Sequence, residues 1–580
     1  MSDRPWLMPC LVALCWLAAT PSVRPRDAVA APPDSTRYMV DQNGRGVGWF
    51  SVSRTTDAQG RFVYRGSGER SGVYKLRRFE LVTSQRFEPV RAALRMSRQG
   101  QPVEMTVQFG DGKAVAEGKV AGTKLPRQEA KLEGPCFVLP GNVLSAFAAL
   151  SDFLADKDAA TYKGALKAYA LPLVIDMEVT GLGSRSVQAG SAQVEVRAFE
   201  LKLNVPRQRG QQTGRTFTLE LHQLPDGRFH GIQIADQGVV TYPFPADARL
   251  ETPAAAFPEI ALRFAAGGDT LAGSLMLPAP DPARPGPCGA VVLVSGSGPT
   301  DRDETVAGGF AVFRALAEKL AAGGFASLRY DDRGTEESGG DYSLATMDIL
   351  AQDAAAAVAA LRARPEVDPA RIGVVGHSEG AILAPQIAAL VEQQSGRAPW
   401  CVVMMAGSPR TGREIILEQQ DHALQGGGFD PAQIEHKRAL QRRVFEYVDG
   451  GVGWDAVVAL ADSTETEFLE MQKNFVDAAW FRSYLNYSAA PWLRRLRAPA
   501  LVLHGELDTQ LPPHHGAALR DSLKAAGHPR VSYVPARGVN HLFQVATTGE
   551  VEEYSTLKPE FGTGVAERVV AFLAMCDRLK

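Results

Sequence analysis

A serine between two glycines is the first feature of this sequence that could carry out chemistry. Ser378 lies in the stretch GHSEG, which runs from Gly376 to Gly380 and joins an apolar strand-like run to a segment with helical spacing. Glycines at these two places allow a tight turn that exposes the serine hydroxyl at a helix N-terminus. Because a serine hydroxyl is a poor nucleophile until a base removes its proton, the pattern predicts catalysis only if a histidine and a carboxylate accompany it.

Both partners follow Ser378 in the chain. Asp508 comes just after the run ALVLHG, and His541 comes just after the run VSYVPA. Since parallel strands end at the same edge of a sheet, we expect both side chains near Ser378. We predict Ser378 as the nucleophile, His541 as the base and Asp508 as the group that orients the base. The alternatives in the same loops are Glu506 for the acid and His514 and His515 for the base.

Backbone N–H groups must also hold the negative charge that develops on a substrate oxygen. We expect one donor to be Glu379, the residue after the nucleophile, and the other to be Ser297 in the loop SGSGPTDRDE, which follows the first parallel strand. Gly296 and Gly298 on either side of Ser297 would let the backbone approach a substrate. The charged residues nearby are predicted to brace these loops rather than to bind substrate: Asp301, Arg302, Asp303, Asp332 and Arg333.

The elements that position these residues belong to a predicted domain at residues 259–580. A β-hairpin opens it, and short apolar strands then alternate with amphipathic helices. The predicted strands lie at 290–296, 326–331, 371–377, 401–407, 500–505 and 531–536. Apolar strands with helical crossovers indicate an α/β fold, a doubly wound and mostly parallel sheet covered on both faces.

One connection in this domain is much longer than a crossover requires. Residues of about 411–490 are helical in pattern and rich in aromatic side chains, and we predict that they form a lid over the site. Trp454, Trp480 and Phe481 are the lid residues that we expect near the substrate. The alternative is that these aromatic residues form only the core of a small helical subdomain.

A different pattern precedes the domain. Residues 36–245 read as short antiparallel strands separated by turn sequences, with a helical interruption at 141–171, and predict a β-rich accessory domain. Residues 246–258 are rich in Pro and Ala and are typical of a linker. Lys and Arg exceed Asp and Glu in residues 35–250, whereas acidic residues predominate after residue 251, which also favours a boundary there.

The first 30 residues resemble a targeting segment. A short start with one arginine leads into about 14 apolar residues and then into small residues at 28–31. We predict a signal peptide at residues 1–30, export to the periplasm or medium, and no transmembrane span in the mature protein. An uncleaved anchor is the alternative. The net charge of −3 gives no reason to expect a nucleic-acid partner, and without a metal-binding spacing we predict no metal and no cofactor.

Residues from about 257 to 580 resemble α/β-hydrolases. The motifs GSGPTDRDE, YDDRG, GHSEG, HGELDTQLPP and GVNHLF are similar to those of a bacterial esterase group related to dienelactone hydrolases and prolyl-oligopeptidase-like hydrolases. The sequence differs at Ser295, where relatives often carry histidine, and at TEES after DDRG. The resemblance implies serine-dependent hydrolysis of carboxylic esters, here of a small-molecule ester, with helices capping the site.

Two other functions stay open at this point. The related oligopeptidases share the same triad, so peptide hydrolysis is possible, although residues 36–245 are too short and irregular for a repetitive β-propeller. Alternatively, the β-rich domain binds a ligand of the cell envelope and the hydrolase domain assists it.

Overall fold

A computed structural model describes most of the chain after residue 34. The described residues are 35–42, 45–70, 74–98, 101–120, 123–124, 127–132, 134–139, 143–170, 173–190, 192–205, 215–235, 238–244, 257–280, 286–306, 310–426, 428–554 and 557–578. They fall into two compact units, within residues 24–254 and 255–580. The predicted signal peptide at 1–30 and nearly all of the predicted linker at 246–258 lie outside the described residues.

The first unit is built on one sheet of strands that alternate with tight turns. In its described residues these are β1 Thr36–Gln42, β2 Arg45–Thr56, β3 Phe62–Arg70, β4 Tyr74–Thr83, β5 Pro89–Arg98, β6 Gln101–Gly110, β7 Lys113–Val120, β8 Thr123–Lys124, β9 Gln128–Lys131, β10 Cys136–Val138, β11 Lys163–Ala170, β12 Leu173–Ala189, β13 Ala192–Val205, β14 Arg215–Gln223, β15 Phe229–Ile234 and β16 Val239–Phe244. Strand order runs from β10 through β16 to β1 and on to β8. Apart from the parallel pair of β10 and β11, the neighbours along this path are antiparallel, which confirms the predicted β-rich antiparallel domain.

This sheet curves around a short helix. β10 at one end of the order contacts β5, which lies eleven strands away along the sheet and would be about 50 Å distant if the sheet were flat. A 3₁₀ turn at Leu144–Ala146 and helix α1, Phe147–Leu154, pack into the core of this sheet. Leu150 and Leu154 have no exposed surface, so the helix fills the concave side.

The predicted helical interruption at 141–171 is only partly correct. Helix α1 ends at Leu154, and the last part of the interval is strand β11. The sequence KGALKAYA has helix-forming residues, but it pairs along its whole length with β12. Tertiary pairing therefore overrides local propensity here.

The second unit contains the mixed sheet that the sequence predicts. Its strands are β17 Glu259–Ala266, β18 Asp269–Met276, β19 Cys288–Val294, β20 Ala326–Tyr330, β21 Val367–His377, β22 Val402–Met405, β23 Ala500–Gly505 and β24 Val531–Ala536. Their order is β17-β18-β20-β19-β21-β22-β23-β24. The hairpin of β17 and β18 joins antiparallel to β20, and the remaining pairs are parallel, which confirms the predicted fold class.

Helices cover both faces of this sheet. The helices of the unit are α2 Val312–Ala322, α3 Met347–Arg362, α4 Glu379–Ser395, α5 Gly412–Gly426, α6 Pro431–Val448, α7 Trp454–Val458, α8 Ser463–Asp477, α9 Ala479–Asn486, α10 Ala490–Leu493, α11 His514–Ala525 and α12 Val565–Asp577. Successive residues of β19 point to opposite faces, so Val292 packs in the core with α3 and α4 while Val291 packs in the core with α2 and α12. Across the described residues, no helix has both the length and the apolar character that crossing a bilayer requires.

Helices α5 to α9 lie within the predicted lid, residues 411–490. Helix α6 begins with a capping box, in which Asp430 accepts from the Gln433 backbone while the Gln433 side chain accepts from the Asp430 backbone. Trp480 and Phe481 of α9 are almost completely buried in the same core as α3 and α4. The lid is therefore packed onto the sheet domain through side chains of α9.

Candidate active site

Ser378 lies in a strained turn between β21 and α4. Its φ of 52° and ψ of −114° place a residue with a side chain in a region that L-residues rarely adopt, and its N–H donates to the Met405 carbonyl at 2.9 Å. The flanking glycines are required by space. A Cβ on Gly376 would lie 2.1 Å from the Gly380 oxygen, and one on Gly380 would lie 2.1 Å from the Val294 oxygen. The turn that holds Ser378 therefore requires glycine at both of these positions, because neither has room for a Cβ.

Asp508 and His541 meet in the loops after β23 and β24. His541 Nδ1 lies 2.8 Å from Asp508 Oδ2, and Asp508 Oδ1 accepts from the backbone N–H groups of Gln510 and Leu511 at 3.0 and 2.8 Å. Burial opposes the charge of Asp508, but His541 and these hydrogen bonds outweigh burial and lower the pKa of Asp508. The carboxylate stays ionised and can hold the ring of His541 in one orientation.

His377, the neighbour of Ser378, joins the turn to the loop of His541. Its ring lies 5.0 Å from the His541 ring, and its Nε2 lies 3.0 Å from the His541 carbonyl oxygen. In the part of the chain that the structure describes, no hydrogen bond joins Ser378 Oγ to the His541 ring. The structure thus brings the two loops together, and proton transfer between Ser378 and His541 stays a prediction.

Glu304 holds the other ring nitrogen of His377. Glu304 Oε1 accepts from His377 Nδ1 at 2.8 Å and from the N–H of Gly296 at 2.8 Å. Burial alone would lower the pKa of His377, but the Glu304 carboxylate and the His541 carbonyl raise it, because both ring nitrogens face acceptors. Sequence reasoning missed this residue, although it is the last one of the quoted motif GSGPTDRDE.

The N–H groups of Gly296, Ser297 and Gly298 in the loop after β19 differ in whether they have an acceptor. The N–H of Gly296 is used by Glu304, and the N–H of Gly298 donates to the Tyr342 hydroxyl at 2.9 Å. Between them, the N–H of Ser297 has no acceptor among the described residues, and neither has the N–H of Glu379 at the start of α4. These two residues are the ones that the sequence predicts as oxyanion donors, and that role stays a prediction.

The side chain of Glu379 joins the nucleophile turn to the lid. Trp480 Nε1 of α9 donates to Glu379 Oε2 at 3.0 Å, and the Ser297 side chain faces the same carboxyl and favours its charged form. Glu379 is 2% exposed, and burial raises its pKa to about 7 despite these two side chains. This contact spans 101 positions of the chain, so no local pattern indicates it.

The three predicted lid residues have different surroundings. Trp480 reaches Glu379, as described. Trp454 packs edge-on against Tyr447 with ring centroids 5.0 Å apart, and Phe481 is fully buried with its ring 4.9 Å from that of Phe475. Of the three, the structure brings Trp480 to the nucleophile turn, while Trp454 and Phe481 contact aromatic residues of the lid.

Charged residues beside the site pair within the protein. Arg302 Nε donates to Asp331 Oδ1 at 3.0 Å, and its Nη1 donates to the Ser274 hydroxyl at 3.0 Å. Asp332 accepts from the N–H of Thr300 at 2.9 Å. The other predicted bracing residues also bind within the unit: Asp301 accepts from the N–H of Thr305, Asp303 pairs with Arg329, and Arg333 pairs with Asp353 and Asp269.

The alternative acid and bases have partners other than Asp508 and His541. Glu506 pairs loosely with Arg537, at 3.9 Å. His514 and His515 both contact Glu418, at 2.9 and 3.0 Å. These three residues have the donor types of a metal site, with ligand atoms within 4.8 Å of one another, but Glu418 also pairs with the guanidinium of Arg410 at 2.8 Å. We assign no metal to them, because a cation there would face that positive charge.

Known proteins match the second unit. The α/β hydrolase family matches residues 291–553. Esterase EstD of Thermotoga maritima is 37% identical over 148 residues, which are 26% of this chain and 34% of that protein. The match thus spans about a third of the length of this curated relative.

Two esterases are among the solved structures to which part of this chain is similar. An esterase of Pyrococcus furiosus is 18% identical, with a TM-score of 0.35, and the match covers 57% of this chain and 96% of that one. Est1E from Butyrivibrio proteoclasticus is 16% identical, with a TM-score of 0.32, and the match covers 54% of this chain and 99% of that one. The family match covers the parallel strands and the loops at their carboxyl edge, so residues 291–553 are the part of this chain that resembles the α/β hydrolase family.

Proposed function

We propose that this protein is a serine esterase that hydrolyses small carboxylic esters through an acyl-enzyme. The observation that carries the proposal is the strained turn of Ser378, which lies at the same edge of the sheet as the bonded pair of Asp508 and His541. The similarity to an esterase over 148 residues supports the same activity. A serine in a strained turn, at the same edge of the sheet as a histidine that a carboxylate orients, is the arrangement that acyl transfer requires.

The reaction follows from the roles of these groups. His541 takes the proton of Ser378 Oγ while Oγ bonds to the ester carbon and the carbonyl electrons move to oxygen. The N–H groups of Ser297 and Glu379 hold that oxyanion. When it collapses, the bond to the alcohol oxygen breaks and His541 returns the proton to the alcohol. Water then repeats the sequence on the acyl-serine, releasing the acid and restoring Ser378.

The test is turnover of p-nitrophenyl esters of increasing acyl length by the purified full chain. Ser378→Ala removes the nucleophile, and we expect kcat to fall by about 10³-fold or more. Ser343→Ala is the matched control, since Ser343 is a surface residue that bonds to Asp341. Equal turnover by Ser378→Ala and the native protein would contradict the proposal.

Chromogenic peptides in the same assay separate the two hydrolase functions. Ester turnover without peptide turnover supports the esterase, whereas cleavage of peptides alone would identify a peptidase of the prolyl-oligopeptidase-like type. Ligand binding by the β-rich domain is tested separately by native mass spectrometry of the full chain. A retained envelope ligand, together with an absence of ester turnover, would favour the third function.

Export is the second part of the proposal. It is supported by the apolar segment and the small residues near Ala30 at the start of the sequence. Expression in a bacterial host followed by N-terminal peptide mapping tests it. We expect the mature protein in the periplasm or medium with an N-terminus near Ala31. Intact protein that begins at Met1 in the membrane fraction would favour an uncleaved anchor instead.

A further inference from the structure

The carboxyl group of Glu379 occupies an unusual position for an acid. Its own backbone N–H is one proposed oxyanion donor, and its side chain faces that of Ser297, the residue that supplies the other donor. Trp480 Nε1 of the lid holds Oε2 from the opposite side at 3.0 Å. One side chain therefore links both halves of the proposed oxyanion hole to the lid.

The charged and titratable groups that face this carboxyl add no positive charge. In the described part of the chain, Glu379 forms no ion pair. Asp332, which follows β20, lies close enough for the two carboxyls to repel each other, and it is buried as well. From α9 and the residue after it, Tyr484 and Tyr487 face Glu379, and its charge opposes ionisation of both hydroxyls.

We propose that Glu379 is a positioning residue of the oxyanion hole that works as a neutral acid, and that its ionisation slows ester hydrolysis at alkaline pH. The inference rests on the proposed esterase function. A neutral carboxyl accepts from Trp480 and lies against the Ser297 side chain, so it keeps the start of α4 in place beside the loop of Ser297. An ionised carboxyl adds a second negative charge beside the oxyanion in a site that excludes water, where like charges repel strongly.

The pH range follows from the surroundings of the group. Burial raises the pKa of Glu379 to about 7, so the carboxyl changes from neutral to charged across the range in which esterases are assayed. Removing the Trp480 donor takes away a hydrogen bond that favours the charged form of Glu379. The carboxyl should then ionise at higher pH. The substitution Glu379→Gln would introduce an amide that keeps the shape and hydrogen bonds of the neutral acid but cannot ionise.

The experiment measures kcat/KM from pH 5.5 to 9.5 for a methyl ester, with the released acid quantified by chromatography, so that no titrating leaving group interferes. For the native enzyme we expect a fall of about fivefold or more between pH 7 and 9, by the like-charge repulsion described above. Glu379→Gln should lose this alkaline fall, and Trp480→Phe should move it to higher pH. Glu318→Gln is the matched control, an exposed acid paired with Arg314, and should keep the native profile.

The results separate the inference from the function on which it rests. If the native protein hydrolyses esters in a Ser378-dependent way and Glu379→Gln keeps the native alkaline fall, the inference is wrong and the esterase stands. A native profile with no alkaline fall, or a shift of Trp480→Phe to lower pH, also contradicts the inference. If the native protein hydrolyses no ester, the proposed function fails and the inference fails with it. Should Glu379→Gln not fold, the direction of the Trp480→Phe shift decides.

Discussion

Glu304 gives the sharpest test of how the site is held together. Its Oε1 accepts two buried hydrogen bonds at 2.8 Å each, from the Gly296 N–H of the oxyanion loop and from His377 Nδ1 beside the nucleophile. Glu304→Ala would leave both donors without an acceptor. It would also remove the carboxylate that raises the pKa of His377. Hydrogen bonds to charged groups contribute about 1.5–3 kcal/mol each, so we expect a loss of about 3–6 kcal/mol in the free energy of unfolding.

Activity should fall along with stability. The hydrogen bond from the Gly296 N–H to Glu304 is adjacent to Ser297. Its loss should displace a proposed oxyanion donor and lower kcat by about 10²-fold or more. Urea denaturation measures the change in the free energy of unfolding. Turnover of p-nitrophenyl esters, at a temperature where the variant is folded, measures the change in kcat. Glu318→Ala is the control, because an exposed ion pair such as the one with Arg314 contributes about 0–1 kcal/mol.

A Glu304→Ala variant that loses less than about 1 kcal/mol, the change expected of an ordinary neutral hydrogen bond, would refute this role of Glu304. A variant that loses stability but keeps native kcat would also refute it, since the hydrogen bond to Gly296 would then have no effect on the oxyanion loop. Glu304→Gln distinguishes charge from geometry. It keeps an oxygen that can accept from both donors but removes the negative charge, and we expect a loss of stability between those of the native protein and Glu304→Ala.

Three further outcomes follow from the structure. Gly380→Ala would place a Cβ 2.1 Å from the Val294 oxygen and should reduce kcat by about 10²-fold or more, whereas Gly453→Ala, with open space around it, should be tolerated in the same ester assay. The pKa of Glu379 is raised from 4.5 to about 7 on folding, so the free energy of unfolding should fall by about 3 kcal/mol as the pH rises through this range. Urea titrations at pH 4.5 and 8 measure this change, which should be absent in Glu379→Gln. Glu465→Ala removes the buried carboxylate that lies 3.1 Å from Lys437 in the lid and should lower the free energy of unfolding by about 3–5 kcal/mol in urea, while an unchanged midpoint would contradict the importance of that pair.

The sheet of the second unit could be predicted closely from the sequence. Its central strands are short, nearly continuous apolar runs separated by helical patterns, and burial on both faces forces that composition. β23 and β24 begin and end where the apolar runs do, at 500–505 and 531–536. The pairing of Asp508 with His541 could be predicted as well, because both follow strands that end at the same edge.

The parts that the sequence did not indicate depend on contacts between distant positions. The residues 163–170 carry helix formers and become a strand only through pairing with β12. Glu304 is 73 positions from His377, and Trp480 is 101 positions from Glu379, so neither contact has a periodic or local signal. Aromatic composition alone could not separate Trp480, which reaches the site, from Trp454, which packs on Tyr447.

Covalent labelling tests the central claim most directly. We would treat the native full chain with a fluorophosphonate that forms a stable tetrahedral adduct with activated serines, and then map the modified peptide by mass spectrometry. We predict one adduct, on Ser378, and a rate of labelling that falls sharply in His541→Ala, because the base is needed to activate the hydroxyl. Hydrolysis of esters by a protein that is labelled at another serine, or not at all, would contradict the assignment of Ser378 as the nucleophile.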